Sequence, residues 1–242
     1  MTAPFDNLTD IAMKWSTDKV ANGYIAHYEK YFEPRRDEKL NILEIGVKRA
    51  TRRHPHGAAS HRTWKEYFPQ ANVYGIDIDP KTKEYEQDRL EIFIGSQGDP
   101  EVMQAAIDSA GHFDIIIDDG SHVNSLTLAS FEGLFPSLKS GGLYIIEDLG
   151  VSYMDLDGPY CRARERAATN VDGATSGWFG MHLMPEDYSY TNRRSEMLAF
   201  FHDQLSRLDL GDHPKWARRL KIGRPDITQM DFYKGICFMT KA

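Results

Sequence analysis

The chain has 242 residues, of which 41% are hydrophobic and 27% charged, the proportions of an ordinary soluble protein that can bury a full core. Its 29 basic and 36 acidic residues give a net charge of −7 without a basic block, which argues against a nucleic-acid backbone as partner. No stretch approaches the roughly 20 apolar residues of a membrane span, and the N-terminus lacks a signal-peptide pattern. We therefore expect a cytoplasmic protein that binds neither membrane nor nucleic acid, with Cys161 and Cys237 reduced.

The first 39 residues predict a helical cover. Apolar residues share one helical face from Leu8 to Trp15 and again from Tyr24 to Phe32. The stretch Ser16–Lys19 interrupts this pattern and offers side chains that cap helices well. We expect a helical hairpin that covers the domain.

A strand, a loop with small residues and a helix come next. Leu40–Val47 reads as a buried strand that contains Glu44 and Gly46. After a basic stretch, Lys48–His56, the small residues Gly57–Ser60 open a helix. This order is typical of nucleotide-cofactor sites in doubly wound sheets, because small residues let a ligand approach the backbone and the helix start offers free N–H groups. A GxGxxG run is absent, which argues against a pyrophosphate ligand such as NAD.

Two more strands end in polar residues. Asn72–Pro80 carries Asp77 at its tip, a position suited to hydrogen bonding with ribose hydroxyls. Leu90–Gly95 is followed by Ser96 and Gln97. Gln97 fits either a contact with the edge of a base or a plain loop residue, and the spacing does not separate the two.

The centre of the chain holds two short apolar runs that each end in carboxylates. Ile115–Ile117 and Leu143–Ile146 flank a predicted helix over Asn124–Lys139. Such a strand–helix–strand unit places its strands parallel with a right-handed crossover, so the residues that follow them meet at one edge of the sheet. Those residues are four acids: Asp118, Asp119, Glu147 and Asp148.

Four converging acids repel one another unless a cation lies among them. Oxygen donors without a nearby cysteine suit Mg²⁺, with Mn²⁺ or Ca²⁺ as alternatives, whereas the simpler reading is a set of solvated strand-end acids or helix caps. His122, three residues after Asp119, is placed to act as a general base. A surface histidine that caps the next helix fits the same spacing equally well.

The last third of the chain predicts a long loop, a helix and a hairpin. Residues 150–190 are rich in glycine and aromatic residues without periodicity, which is typical of a lid or acceptor-binding loop. Asn192–Leu208 predicts an amphipathic helix, and Ile227–Tyr233 with Ile236–Thr240 predicts a hairpin. The helix residues expected to face inward are Met197, Leu198, Phe201, Leu205 and Leu208.

These elements predict one α/β domain over residues 1–242. Its fold class is Rossmann-like and doubly wound, with a mostly parallel seven-stranded sheet that ends in an antiparallel hairpin. Within it we expect a helical cover (1–39), a cofactor- and metal-binding core (40–149), the lid or acceptor loop (150–190), and the final helix and hairpin (191–242).

Six stretches together resemble the class I S-adenosylmethionine-dependent methyltransferases, and more narrowly the metal-dependent sugar O-methyltransferases of antibiotic biosynthesis, which methylate deoxysugars. The Asp-Asp-Gly-Ser-His run followed by Ile-Glu-Asp is the specific part of the match. The basic stretch departs from the family's shorter glycine-rich turn; it reads most simply as a solvated face, although it could attract an anionic substrate. The six stretches are Ser16–Lys19, Ile42–Gly46, Trp64–Pro69, Tyr74–Asp79, Phe113–His122 and Gly141–Asp148.

The resemblance implies S-adenosylmethionine and Mg²⁺ (or Mn²⁺) as cofactors. It implies that His122 is the base, that Asp119 shares the catalytic centre, and that Asp119, Glu147 and Asp148 hold the metal. The residues it places in the cofactor site are Glu44, Gly46, Ser60, Asp77, Ser96, Gln97 and Asp118.

The resemblance also implies an activity: methyl transfer to a hydroxyl of a sugar, in a deoxysugar of a natural product or its nucleotide-sugar precursor, by a homo-oligomer. Three alternatives stay open at this point. One is a catechol or phenol O-methyltransferase of the same fold, and another is a hydroxylating relative such as those of cephamycin biosynthesis. The third is a cofactor-binding subunit without catalysis of its own.

Overall fold

The computed structural model describes residues 7–50, 55–153, 192–210, 213, 215, 218–219 and 226–242. They belong to two compact units, Met1–Phe113 and Asp114–Ala242, so the single-domain assignment stays a prediction. The predicted lid or acceptor loop lies outside the described residues from residue 154 onward. Within the described ranges, every helix is too short or too polar to cross a membrane.

The first unit begins with two helices, α1 (Leu8–Trp15) and α2 (Ile25–Phe32), as predicted. The side chain of Asn7 accepts a hydrogen bond from the backbone N–H of Asp10 and so caps the start of α1. Ser16 ends the same helix in the left-handed conformation. The ends of α1 are therefore set by local sequence signals, and both helices bury one apolar face.

The rest of the first unit alternates strands and helices. Its elements are β1 (Asn41–Ile45), α3 (Ala59–Tyr67), β2 (Asn72–Asp77), β3 (Leu90–Ile94) and α4 (Pro100–Ala110). β2 lies between β1 and β3 and runs parallel to both. The carboxyl ends of the three strands therefore share one edge of the sheet, where ligands bind in open α/β folds.

The second unit holds four strands and three helices among the residues described. The elements are β4 (Phe113–Asp118), α5 (Asn124–Leu134), β5 (Leu138–Ile146), α6 (Leu149–Ser152), α7 (Arg194–Leu210), β6 (Ile227–Tyr233) and β7 (Ile236–Lys241). The strand order is β4-β5-β7-β6, and β7 is antiparallel to β5 and β6. All six residues of β4 are buried, including Asp114 and Asp118 on either side of its apolar run Ile115–Ile117.

The predicted fold class is confirmed: the seven strands make a mostly parallel sheet that ends in an antiparallel hairpin, with helices packed on it. The short helix α6 was not predicted, because four residues are too few to show helical periodicity.

The predicted helix over Asn124–Lys139 is wrong at its C-terminal end. The α-helix stops at Leu134, a 3₁₀ turn covers Phe135–Ser137, and Leu138 already begins β5. Pro136 contributes to the difference, because it has no backbone N–H and cannot donate the helical hydrogen bond that would continue α5.

The inward face of α7 is also partly wrong. Met197 and Phe201 are buried as predicted, but Leu198 is 49% exposed and Leu205 is 41% exposed. Gln204 takes the buried position instead. Residues 197, 201 and 204 follow the i, i+4, i+7 spacing of one helical face, whereas Leu198 and Leu205 lie about 100° around the axis from it.

Candidate functional site

The acids predicted to converge do so at the carboxyl edge of the second unit. The strands β4 and β5 end side by side, and the backbone N–H of Glu147 donates to the carbonyl of Asp118 at 3.0 Å. One carboxylate oxygen of Asp119 and one of Glu147 lie within 4.8 Å of each other. Acids from two strands that are distant in sequence thus meet at one place.

His122 completes this cluster. Its Nε2 lies 3.5 Å from Oδ2 of Asp148 and 3.9 Å from Oδ1 of Asp119. The imidazole is only 6% exposed, whereas the side chains of Asp119 and Asp148 are 20% and 34% exposed. The cluster is therefore open to solvent on its carboxylate side and buried on its histidine side.

The donor set fits a hard divalent cation. Ligand atoms of Asp119, His122 and Asp148 all lie within 4.8 Å of one another. Carboxylate oxygens are the ligands that Mg²⁺ and Mn²⁺ prefer, and a cation between them would relieve their mutual repulsion. Metal ligation by Asp119, Glu147 and Asp148 nevertheless stays a prediction, as does the role of His122.

Two residues of the cluster have strained backbones. His122 has φ 56° and Asp148 has φ 52°, both in the left-handed region. For a residue other than glycine this conformation costs about 1–2 kcal/mol. Strain of this kind persists only where the surroundings hold it in place, and it concentrates at functional sites.

Asp118 lies beneath the loop that carries Asp119 and His122. It is 1% exposed, and its Oδ2 accepts a hydrogen bond from the hydroxyl of Ser130 at 2.6 Å. Its Oδ1 accepts from the backbone N–H of Gly120 at 3.3 Å. The carboxylate therefore fastens the loop after β4 to α5. The predicted role of Asp118 in cofactor binding is not tested by these contacts.

In the first unit, Glu44 lies at the centre of a buried polar network. Its Oε1 is 3.0 Å from Nζ of Lys19, and both side chains are fully buried. Its Oε2 accepts from the indole N–H of Trp64 at 2.7 Å. His61 is also fully buried, with Nε2 3.2 Å from the carbonyl oxygen of Glu44. Burial holds the pKa of His61 below its usual value, although the nearby Glu44 carboxylate acts in the opposite direction.

Sequence reasoning missed Lys19 as the partner of Glu44. The sequence predicts side-chain helix caps in Ser16–Lys19, whereas Ser16 ends α1 through its backbone N–H, which donates to Ala12 and Met13. The lysine at the end of this stretch gave no periodic signal, because it lies in the turn between α1 and α2. Only the tertiary structure brings it to β1.

Asp77 ties the tip of β2 to the turn after β1. Its Oδ2 accepts from the backbone N–H groups of Val47 at 2.8 Å and Lys48 at 2.9 Å, and its Oδ1 accepts from Asp79 at 2.8 Å. Burial raises the pKa of the Asp77 carboxyl, although these three donors act to lower it. Gly46 allows the turn with φ 94°. A carboxylate has about four acceptor sites, so Asp77 keeps capacity for a further donor such as a hydroxyl.

The remaining predicted cofactor residues lie near the same edge or at the start of α3. The hydroxyl of Ser60 is 3.4 Å from Nδ1 of His61. The hydroxyl of Ser96 accepts from the backbone N–H of Gly98 at 3.2 Å, and Gln97 is 6% exposed. Their roles in cofactor binding stay predictions.

The described part of the basic stretch is largely exposed, and two of its cations pair with acids. Lys48 pairs with Asp18 at 2.5 Å, and Arg49 pairs with Asp79 at 3.3 Å. The backbone N–H of Ala50 donates to the hydroxyl of Tyr85 at 3.2 Å. Residues 51–54 lie outside the described ranges. The described part of the stretch is thus tied to acids of the first unit.

Sequence comparison finds sugar O-methyltransferases among the relatives of this chain. It is 31% identical over 226 residues to mycinamicin VI 2''-O-methyltransferase of Micromonospora griseorubida, a match that covers 88% of the chain and 56% of the relative. It is 39% identical over 147 residues to the 8-demethyl-8-alpha-L-rhamnosyl tetracenomycin-C 2'-O-methyltransferase of Streptomyces olivaceus, which covers 60% and 38%. No protein-family model matches the chain.

Comparison with solved structures gives a consistent result. The chain matches the MycE methyltransferase of the mycinamycin biosynthetic pathway, in complex with Mg, SAH and mycinamycin VI, with a TM-score of 0.68 and 28% identity. This match covers 98% of the chain and 55% of MycE. A second MycE structure, with Mg and SAH, gives a TM-score of 0.73 at 27% identity and covers 99% and 55%. The chain thus spans about half the length of these proteins or less.

Proposed function

Because this chain is homologous to the sugar O-methyltransferases of natural-product pathways and has the class I methyltransferase fold, we propose that it transfers a methyl group from S-adenosylmethionine to a sugar hydroxyl. The observation that carries the proposal is the cluster of His122 with Asp119 and Asp148, which places a candidate base beside candidate metal ligands. The acceptor is a glycosylated natural product, in line with the names of the relatives.

Asp119, Glu147 and Asp148 hold Mg²⁺ in this proposal. Their oxygens follow two hydrogen-bonded strands, so the sheet holds the ligands of the ion in place. When bound, Mg²⁺ lowers the pKa of a coordinated hydroxyl and positions it. The partial exposure of Asp119 and Asp148 leaves room for an acceptor to approach.

His122 removes the proton of the acceptor hydroxyl. A neutral sugar hydroxyl is a poor nucleophile, so the proton must leave as the new oxygen–carbon bond forms and the carbon–sulfur bond breaks. The sulfonium becomes a neutral thioether, and the proton stays on the imidazole. The carboxylates of Asp119 and Asp148, at 3.9 and 3.5 Å, stabilise the resulting imidazolium.

The carboxyl edge of the first unit contributes to S-adenosylmethionine binding. Asp77 keeps acceptor capacity for a ribose hydroxyl, and Gly46 supplies the tight turn beside it. The carboxylate of Glu44 already faces Lys19 and Trp64, so Glu44 acts by holding the end of β1. Ser60, Ser96 and Gln97 are the remaining candidates.

The test is an assay of the full chain with S-adenosylmethionine and Mg²⁺ against three acceptors: a macrolide glycoside with vicinal hydroxyls, a nucleotide deoxysugar and a catechol. We expect methylation of the glycoside, detected as a gain of one methyl group by mass spectrometry, and none in excess EDTA. Full activity in EDTA overturns the metal role, and turnover of only the catechol overturns the sugar acceptor.

The nucleotide sugar is the second acceptor candidate, and its preferential turnover would place methylation before glycosyl transfer. Cofactor binding without turnover of any acceptor would contradict the catalytic proposal and favour a binding subunit. A homo-oligomeric state and a cytoplasmic location stay predictions.

A further inference from the structure

Two buried asparagines, 68 residues apart in sequence, contact each other next to the candidate site. Asn124 is 0% exposed and Asn192 is 3% exposed. The side-chain oxygen of Asn192 accepts from the backbone N–H of Asn124 at 2.9 Å, and its amide donates to the carbonyl of Val151 at 3.1 Å. The two residues therefore link three separate parts of the second unit.

The side chain of Asn124 makes the reciprocal contacts. Its amide nitrogen donates to the carbonyl of Ser152 at 2.9 Å and to the carbonyl of Arg193 at 2.8 Å. Two carbonyl partners fix the orientation of the amide, since only its NH₂ group can donate to both. We call Asn124 and Asn192 the asparagine clasp.

The clasp supplies hydrogen bonds at the ends of two helices. Val123 precedes α5 without a side-chain cap, so the first helical N–H, that of Asn124, depends on Asn192. The last carbonyls of α6, from Val151 and Ser152, are bound by the two amides. The clasp thus joins the start of α5 to the end of α6.

These two helices follow the strained residues of the site. His122 lies two residues before the start of α5, and Asp148 directly precedes α6. Both have left-handed backbones, which external contacts must hold. The clasp fastens the segment that follows each of them, and it is the contact among the described residues that joins these two segments through buried side-chain amides.

We propose that Asn124 and Asn192 are positioning residues of the methyl-transfer site, which hold His122 against Asp148. The catalytic part of this inference rests on the proposed function. The structural part, that the clasp holds the two segments in place, can be tested by a measurement that needs no turnover.

Asn41 provides a matched control in the first unit. Its amide donates to the carbonyls of Ala110 and His112, each at 3.1 Å, which is the same chemistry as in Asn124. It is the first residue of β1, at the amino end of the strand. Asn41→Ala therefore removes two amide-to-carbonyl hydrogen bonds of the same type, in a more exposed setting, away from the carboxyl edge.

The experiment compares Asn192→Ala, Asn124→Ala and Asn41→Ala in the full chain, below the unfolding temperature of each. Both clasp variants are expected to lower kcat by about 10–100-fold, the usual effect of a lost positioning contact, with the KM for S-adenosylmethionine within about twofold. Asn41→Ala is expected to keep kcat within about twofold, although it loses stability as well. Asn192→Ser serves as a milder variant if the alanine variants do not fold.

Hydrogen exchange measured by mass spectrometry gives the second readout. We expect faster exchange in both clasp variants over residues 120–124 and 149–152, and no change there in Asn41→Ala. A folded Asn192→Ala protein with unchanged kcat, or with unchanged exchange in either segment, overturns the inference. If the parent chain methylates nothing, the proposed function fails while the exchange data still judge the clasp.

Discussion

His122 and Asp148 approach each other to 3.5 Å from backbones that are both left-handed, with φ 56° and 52°. Neither residue is glycine, so each retains a conformational cost for the sake of its side chain. A position chosen for stability alone would carry glycine there. We therefore predict that function and stability conflict at this pair, and the conformational cost can be measured.

We expect Asp148→Gly to be more stable than Asp148→Ala by about 1 kcal/mol, because glycine adopts the left-handed region without steric cost. At an ordinary position the order is the reverse. Both variants lose the carboxylate, so both should lose methyl transfer. Urea unfolding followed by circular dichroism gives the two free energies, and an alanine variant as stable as the glycine variant would contradict the strain at this position.

His122→Ala and Asp119→Ala should abolish detectable turnover while the chain stays folded. A positioned base typically contributes 10²–10⁴-fold, and metal ligation adds to that loss for Asp119, so both effects should exceed about 100-fold. His112→Ala, at an exposed histidine, is the control and should keep activity. Steady-state assays with saturating Mg²⁺ check this, and more than a tenth of parent activity in His122→Ala would exclude it as the base.

Much of the fold was predictable because its signals are local. Each buried strand is a short apolar run bounded by polar residues or glycine, and Asp99 before Pro100 marks the start of α4 as expected. The predicted limits failed where two local signals compete. Leu138 continues the apolar spacing of α5, but Pro136 has no N–H to continue the helix, and Leu138 is the first residue of β5.

The convergence of the acids in the candidate site could be predicted from the sequence. The buried polar contacts around the acids could not. Asp119, Glu147 and Asp148 follow strands, so strand topology alone brings them to one edge. Lys19 and Asn192 carry no such signal, because their partners, Glu44 and Asn124, are distant in sequence. Buried polar contacts between distant segments depend on the finished tertiary structure, which a periodic pattern does not encode.

Lys19 and Glu44 form a buried ion pair, and breaking it should be costly. Removal of one partner leaves an uncompensated buried charge, so Lys19→Met should lower the free energy of unfolding by about 3–5 kcal/mol. Lys14→Met is the matched control, since its pair with Glu66 is half-exposed and should be worth less than about 1 kcal/mol.

Adding Glu44→Gln to Lys19→Met should recover part of that loss. Glutamine removes the unpaired charge and keeps an acceptor for the indole N–H of Trp64. Urea unfolding of the parent, Lys19→Met, Glu44→Gln and the double variant completes a double-mutant cycle. Equal destabilisation by Lys19→Met and Lys14→Met would show that the buried pair contributes no more than a surface pair.

The buried His61 should make the stability of the protein depend on pH. Its pKa is lowered from 6.5 by burial, with Glu44 and Asp77 acting to raise it and Lys19 to lower it further. Between the folded pKa and 6.5 the unfolded chain binds a proton that the folded chain does not. The contribution of His61 to the free energy of unfolding should therefore be fully present above pH 6.5. Below that pH the free energy of unfolding should fall, by at most about 1.4 kcal/mol per pH unit from this residue.

His61→Gln removes this titration, whereas His112→Gln changes an exposed histidine and should preserve it. Unfolding in urea, measured for the three proteins between about pH 5 and 8, isolates the contribution as a difference in slope, even where the variants differ in absolute stability. A parent slope equal to that of His61→Gln over this range would mean that His61 is protonated in the folded chain as readily as in the unfolded one. The imidazole would then be a second cation beside Glu44, and Lys19 would not be the only positive charge that compensates this buried carboxylate within the described network.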